Sequence, residues 1–210
     1  MDRSRIRKAL GLRCLEDYTV EERRAMWPPA KMLRQDHLRN CRLVENRDVL
    51  LSLMPKNSVV AEVGIDQCLY SEKILNITTP TTLHLVDIAE SCIAIAQQKF
   101  RDEINRGIVR VHKSDSSTFL KSLPDQYLDW VYIDGDHSYS GVKKDLEAVR
   151  VKIKSAGHIA LNDYIYFSAS ELLKYGVIEA VNEFCLEYGY ELLFLAFNVR
   201  QYNDVVLRKM

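Results

Sequence analysis

The chain has 210 residues, 47% of them hydrophobic, which suits one α/β domain with a sizeable core preceded by an appendage. Its 29 Lys plus Arg balance 29 Asp plus Glu, so the overall charge gives no reason to expect a nucleic-acid or anionic-membrane partner and leaves small molecules as the expected ligands. Five cysteines, Cys14, Cys41, Cys68, Cys92 and Cys185, are scattered and lack C-x-x-C spacing; neither a disulfide framework nor a zinc site is expected, and a reducing cytoplasm is.

Met1 to Arg13 carries Arg3, Arg5, Arg7, Lys8 and Arg13. No apolar signal-peptide core follows and no segment nears the roughly 20 apolar residues of a membrane span, so a solvated basic helix or arm is expected. Residues 1–50 have no strand pattern and are expected to form a helical N-terminal lid or flank to a main domain over 51–210. Pro28 and Pro29 follow Trp27, and a helix is expected from about Ala30, leading into Leu43 and Val49 to Leu53. Trp27, His37 and Arg47 each suit a substrate pocket or an anchoring contact on the neighbouring core, and the anchor is the favoured role.

A turn at Pro55-Lys56-Asn57 opens the β-branched run Ser58 to Val63, which ends in Glu62-Val63-Gly64-Ile65-Asp66-Gln67-Cys68 before a helical stretch through Leu75. A glycine directly after a strand lets the backbone approach a ligand, and Glu62 or Asp66 places negative charge where a phosphate is unwelcome, favouring a neutral or cationic ligand. A plain tight turn also uses one glycine. Thr82 to Val86 is the next apolar run, and it ends at Asp87, about twenty residues past Gly64, where an acid meets ribose hydroxyls in nucleotide-binding folds. Ile93, Ala96, Phe100 and Ile104 mark a core-facing helix that Ser91 is placed to cap and Gly107 closes.

The third strand, Ile108 to Val111, leads to Ser114-Asp115-Ser116, which fits either an adenine edge or the cap of the next helix. After Pro124-Asp125 comes Trp130-Val131-Tyr132-Ile133-Asp134-Gly135-Asp136-His137-Ser138-Tyr139, where an apolar strand runs straight into two carboxylates and an imidazole; such groups at a strand end call for a cation, metal or substrate. Val142, Leu146, Val149 and Ile153 mark the following helix, which Gly157 is expected to break. His158 to Leu161 is the fifth strand, ending at Asn162-Asp163 with Tyr164 and Tyr166 beyond. Leu172 to Tyr188 reads as a long amphipathic helix closed by Gly189, and Glu191 to Asn198 and Asp204 to Arg208 as a terminal hairpin. Five strand-then-helix units imply a parallel sheet covered on both faces, and right-handed crossovers place Gly64, Asp87, Asp115, Asp134 and Asp163 on one rim.

These residues resemble the class I S-adenosylmethionine-dependent methyltransferases, and within them the metal-dependent O-methyltransferases related to macrocin O-methyltransferase and, more distantly, catechol O-methyltransferase. The resemblance spans about residues 57 to 210. It rests on Glu62-Val63-Gly64 as the first motif, Asp87 as the ribose acid, Asp115-Ser116 as the adenine-side pair, Tyr132 to Tyr139 as the most specific signature, and Tyr202 to Leu207 as the antiparallel last strand. It implies a Rossmann-like, doubly wound seven-stranded α/β sheet of order 3-2-1-4-5-7-6. It implies S-adenosylmethionine held by Glu62, Gly64, Ile65, Asp87, Ile88, Asp115, Ser116 and Asp134; a hard divalent cation such as Mg²⁺ held by Asp134, Asn162 and Asp163; and His137 as the catalytic base. Two residues depart from the pattern. Cys68 stands where the first motif usually has a second glycine, beside the methionine end of the cofactor, and Asn162 replaces what is often an acidic ligand.

The expected chemistry is methyl transfer to a small-molecule hydroxyl, with the metal lowering the acceptor's pKa and His137 taking the proton. An aromatic-lined acceptor pocket is expected around Trp27, Tyr164 and Tyr166. A homo-oligomer is compatible with the resemblance. A nicotinamide-dependent oxidoreductase needs further glycines that Ile65 to Ser71 lacks; a non-catalytic, methyltransferase-like binding protein is the other alternative.

Overall fold

Leu128, Trp130, Val131, Tyr132 and Ile133 are all buried because the strand they form lies in the middle of a sheet covered on both sides, the setting in which a strand reads as a continuous apolar run. The computed structural model describes residues 17–25 and 30–210. Two compact units divide at Lys31. Of the first, the described part is a short helix, Val20–Ala25, opened by a capping box in which Glu22 N donates to Thr19 Oγ1 at 3.1 Å and Thr19 N to Glu22 Oε2 at 2.8 Å. The basic stretch before Asp17, and Trp27 with its two prolines, lie outside the described residues.

The second unit, Met32–Met210, holds the sheet. Its strands are β1 (Arg42–Val44), β2 (Val59–Val63), β3 (Thr82–Asp87), β4 (Val109–Lys113), β5 (Leu128–Ile133), β6 (Ile153–Leu161), the short pair β7 (Phe167–Ser168) and β8 (Leu173–Lys174), β9 (Tyr190–Ala196) and β10 (Asp204–Lys209). Eight of them form one sheet in the order β1-β9-β10-β6-β5-β2-β3-β4. Every neighbouring pair is parallel except those made by β10, which is antiparallel to both β6 and β9. From β2 onward this is the expected 3-2-1-4-5-7-6 order. One face packs Leu146, Val149, Val181 and Phe184 of helices Tyr139–Val149 and Val177–Tyr188; the other packs Leu50, Ile74 and Ala96 of helices Arg47–Ser52, Leu69–Thr78 and Glu90–Lys99.

Four expectations need correction. First, the sheet has an eighth strand. Residues 32–50, expected as part of a separate helical flank, contain only a one-turn helix, Gln35–Leu38, before β1 adds in parallel to β9 with Val44 buried. The open edge of β9 supplies the pairing that overrides the local helical pattern. Second, the helix after the acidic stretch ends at Val149. Gln126, Tyr127 and Leu128 donate to the carbonyls of Val151 and Lys152, so Ile153 and Gly157 are in β6. Third, residues 172–176 are not helical: Tyr175 N donates to Tyr166 O at 2.9 Å and Gly176 N to His137 O at 2.8 Å, folding 166–175 into a small hairpin before the helix begins at Val177. Fourth, Ser91 lies inside its helix; the cap position is Ala89, whose N–H donates to Asp87 Oδ1 at 2.8 Å. His37 is the anchor it was expected to be, fully buried with Nδ1 2.7 Å from Tyr190 O.

Candidate active site

Backbone hydrogen bonds between neighbouring strands pin the loops at the carboxyl rim. Asp134 N donates to Val63 O at 2.8 Å, Gly64 N to Val86 O at 2.9 Å, and Asn162 N to Ile133 O at 3.0 Å. Gly64 sits at φ +85°, and a Cβ on it would lie 2.0 Å from the Asp134 carbonyl oxygen. Its role is therefore to let the β2 and β5 loops touch. Between these loops opens a cavity of about 820 Å³, within the range of small-molecule sites.

All eight residues expected to hold a cofactor line this cavity: Glu62, Gly64, Ile65, Asp87, Ile88, Asp115, Ser116 and Asp134. His137 and Asp163 line it too. Asp87 accepts Ile65 N at 3.0 Å through Oδ2 as well as Ala89 N through Oδ1, which holds its carboxylate at the lip. Asp115 lines the cavity and caps helix Ser116–Ser122, accepting Thr118 N, Thr118 Oγ1 and Ser117 Oγ through Oδ1 at 2.9–3.0 Å. Ser116 Oγ is turned to Asp145, donating at 2.6 Å.

Glu62 is 1% exposed, and its Oε2 has no hydrogen-bond partner. Burial pushes its carboxyl up to about 8, the neighbouring Asp134 charge adding to the rise while Ser71 and Arg47 oppose it. Cys68 is no obstacle to a ligand. It adopts the left-handed conformation expected of a glycine, φ +57°, and its fully buried side chain packs into the core with Ile65, Tyr70 and Ile74.

The three residues expected to hold a metal are close together but differently engaged. Asn162 gives Asp134 Oδ1 its amide nitrogen, at 2.7 Å, and turns its oxygen to the Arg47 guanidinium at 3.5 Å. Reversing that amide would set donor against donor and acceptor against carboxylate. His137 Nε2 stands between the carboxylates, 3.4 Å from Asp134 Oδ1 and 3.7 Å from Asp163 Oδ2. Three oxygens converging on one point is what a hard cation requires, and this donor set, with a nitrogen turned inward and an imidazole between the acids, does not fit Mg²⁺. No group of three or more His, Cys, Asp or Glu among the described residues could hold an ion.

His137 is stacked on Tyr175, ring centroids 4.6 Å apart and planes 10° apart. Its Nε2 is buried without a hydrogen bond. Burial lowers its pKa, but Asp134, then Asp163 and Glu171, outweigh that and the net shift is upward. Burial pushes Asp163 up to about 6, with His137 opposing and Asp134 adding.

Tyr175 and Glu171 of the hairpin, Tyr70, and Arg47 complete the wall. Sequence reasoning missed the first three: Glu171 and Tyr175 lie in a stretch that reads as the start of a helix, and Tyr70 reads as a core position. Arg47 was favoured as an anchor. It lines the cavity, with its guanidinium 5.1 Å from the centre of the Tyr70 ring. Tyr164, expected in the pocket, instead donates to Asn182 Oδ1 at 2.6 Å behind it, and neither it nor Tyr166 is part of the lining.

A family model described as "Methyltransferase domain" matches residues 65–164, the span from the glycine turn to just past β6. No curated protein matches the sequence. Among solved structures, the chain is similar to a precorrin-6y C5,15-methyltransferase from Geobacter metallireducens, at 19% identity and TM-score 0.59 over 78% of this chain and 86% of that one. A SAM-dependent methyltransferase from Aquifex aeolicus aligns at 17% identity and TM-score 0.56 over 77% and 87%. TrmK of M. capricolum, solved with S-adenosylhomocysteine, aligns at 13% and TM-score 0.58 over 80% and 70%. The fold is that of the class I S-adenosylmethionine-dependent methyltransferases, and residues 65–164, which supply much of the crevice wall, match the methyltransferase-domain model. No helix of the described residues is long and apolar enough to cross a membrane.

Proposed function

We propose that this methyltransferase domain transfers the methyl group of S-adenosylmethionine to a hydroxyl oxygen of a small molecule, with His137 as the base. The observation that carries it is the convergence, on one cavity, of the ends of β2, β3, β4 and β5 with the imidazole of His137. Eight carboxyl groups line that cavity, Glu62, Asp66, Asp87, Asp115, Asp134, Asp136, Asp163 and Glu171, against Arg47 and His137, with Glu62 held neutral at pH 7 by its burial. Such a field favours a cationic sulfonium and disfavours the phosphates of a nucleic-acid acceptor.

The nucleoside lies along Asp87 and Asp115, which leaves the sulfonium toward Glu62 and Asp134. An acceptor seated against Tyr175 brings its hydroxyl beside His137. As the oxygen attacks the methyl carbon, the carbon–sulfur bond breaks and its electron pair returns to sulfur; the hydroxyl proton passes to His137 Nε2, the unpartnered ring nitrogen. The imidazolium is then held by Asp134 and Asp163, 3.4 and 3.7 Å away. No step is assigned to a metal.

The test is calorimetry with S-adenosylhomocysteine followed by a methyl-transfer assay over a panel of hydroxylated small molecules. Micromolar binding of the product is expected. His137→Ala is expected to keep that affinity and lose on the order of 10²-fold in turnover, and EDTA to leave turnover unchanged. No binding of S-adenosylhomocysteine overturns the methyl-donor assignment, full turnover in His137→Ala removes the base, and an EDTA loss restored by Mg²⁺ reinstates the metal.

A further inference from the structure

Arg47 has no part in the chemistry just described, yet its side chain, 35% exposed, lies in the wall of the same cavity. It opens helix Arg47–Ser52, whose start is fixed by Asn46 accepting Asp48 N and Val49 N at 3.0 and 2.9 Å. Its guanidinium reaches two strands remote from the nucleoside: Nη2 is 3.5 Å from Asn162 Oδ1, just past the end of β6, and Nε is 3.9 Å from Asp204 Oδ2, at the start of β10. In the order β10-β6-β5-β2-β3-β4, the loop that carries His137 follows β5, so Arg47 bonds on one side of the base while the nucleoside, at the ends of β3 and β4, lies on the other. Asp204 Oδ2 is already engaged by the Tyr132 hydroxyl at 2.8 Å. A guanidinium has five N–H donors, and contacts at 3.5 and 3.9 Å leave its capacity for close bonds largely unspent. Beneath it lies the ring of Tyr70, 8% exposed, which also lines the cavity and whose hydroxyl has no hydrogen-bond partner among the described residues.

One pair of side chains joins Arg47 to the base. Asn162 Nδ2 donates to Asp134 Oδ1 at 2.7 Å, and the same oxygen lies 3.4 Å from His137 Nε2. An acceptor laid along this pair with its hydroxyl at His137 brings its other end to Arg47. The fork of Arg matches a planar carboxylate bidentately and cancels its single charge, whereas a doubly charged phosphate would leave excess negative charge among the acids of the wall. We infer that the methyl acceptor is a hydroxy acid, its carboxylate bound by Arg47 while its hydroxyl is presented to His137. This rests on the methyl-transfer reading above and names the acceptor class for it. Pairing the carboxylate also serves the chemistry: an uncompensated negative charge near the hydroxyl would raise its pKa and oppose proton transfer to His137. The methyl goes to the hydroxyl oxygen and the carboxylate is unchanged, so the product is an ether and not an ester.

Tyr175, stacked on His137, and Tyr70, under Arg47, put an aromatic ring beside each polar contact, so flat probes suit the test. Calorimetry on the full chain saturated with S-adenosylhomocysteine compares the ortho, meta and para hydroxybenzoates with the corresponding hydroxybenzamides, which keep the shape and lose the charge. At least one acid is expected to bind on the order of 10- to 100-fold tighter than its amide, the range of one charge-assisted contact. Arg47→Met, which keeps an apolar stem over Tyr70, is expected to reduce that preference to under about 3-fold and to change S-adenosylhomocysteine affinity by less than about 3-fold; Arg47→Lys recovers part of the preference, as a point charge without the fork. With S-adenosylmethionine in place of the product, the preferred acid is expected to yield the methoxybenzoate. Wild-type chain that prefers none of the acids, a preference that survives Arg47→Met, or a methyl ester as product overturns the acceptor class and leaves the methyl-donor assignment standing. Loss of S-adenosylhomocysteine affinity in Arg47→Met places Arg47 with the donor and overturns it likewise. Wild-type chain that does not bind S-adenosylhomocysteine overturns both readings.

Discussion

Replacing Gly64 with alanine tests the contact on which the crevice is built. The new Cβ would lie 2.0 Å from the Asp134 carbonyl oxygen, 2.5 Å from its carbon and 2.9 Å from Gly135 N. Ordinary contact begins at 3.4 Å, so the β2 and β5 loops must separate by more than about 1 Å. That movement breaks the Asp134 N–H bond to Val63 O and strains those of Gly64 to Val86 O and Ile65 to Asp87, each worth about 1 kcal/mol. The positive φ adds about 1–2 kcal/mol, for a total of roughly 3–5 kcal/mol. Gly107 is the control: it also has positive φ, +74°, but a Cβ there meets nothing within 4 Å, so Gly107→Ala pays only the backbone cost of about 1–2 kcal/mol. Urea unfolding of both variants beside the wild type measures the difference, and calorimetry on Gly64→Ala is expected to show lost S-adenosylhomocysteine affinity. If Gly64→Ala is no less stable than Gly107→Ala, the two loops are not in the contact described.

His84 on β3 is buried between His112 Nε2, 2.9 Å from its Nδ1, and the Tyr127 hydroxyl, 3.1 Å from its Nε2. Burial first, then the His112 and Arg110 charges, lowers its pKa to about 4. The unfolded chain therefore binds the extra proton first, and the stability His84 contributes is present above about pH 6.5 and lost as the pH falls toward 4, roughly 3 kcal/mol in all. Unfolding free energies of the wild type and His84→Phe at pH 7.5 and pH 5 should differ in a pH-dependent way, the variant gaining about 2 kcal/mol on the wild type at the lower pH; a constant difference sinks the assignment. Glu62, at about 8, is protonated at pH 7, and the sulfonium proposed beside it favours the ionised form, so S-adenosylmethionine binding should release a proton. Binding heats in buffers of different ionisation enthalpy measure that release; its persistence in Glu62→Gln would assign it elsewhere. Asn46→Ala removes the acceptor for two backbone N–H groups and should cost about 1 kcal/mol in unfolding free energy, read by urea unfolding; an unchanged midpoint refutes the cap.

The crevice was readable because its parts are local. Asp87, Asp115, Asp134 and Asp163 each follow an apolar run, and parallel strands with right-handed crossovers bring such termini to one rim whatever the details of packing. Element ends were misjudged where a distant partner decided them. Val44 is in a strand because β9 had a free edge, Gly157 is in β6 because 126–128 claimed the carbonyls that follow Val149, and residues 172–176 stay out of the helix because Tyr175 bonds to Tyr166 and Gly176 to His137. That Cys68 keeps a glycine's left-handed backbone while its side chain is buried in the core was not readable from the motif either.

The order of apolar runs and polar termini was enough, by itself, to determine the parallel, doubly wound sheet and the rim that carries Gly64, Asp87, Asp115, Asp134 and Asp163, since each depends on spacing along one strand or turn; the strand order from β2 onward and the other expected cavity residues were what the resemblance to the methyltransferases implied. Only the tertiary structure decided that Asn162 turns its nitrogen to Asp134, that His137 stands between two carboxylates and stacked on Tyr175, and that Arg47 reaches the cavity wall beside Asn162 and Tyr70. Those arrangements join side chains up to 115 positions apart. Which of two amide atoms faces a carboxylate is set by the charges that surround it in space, and pattern along the chain carries no record of them.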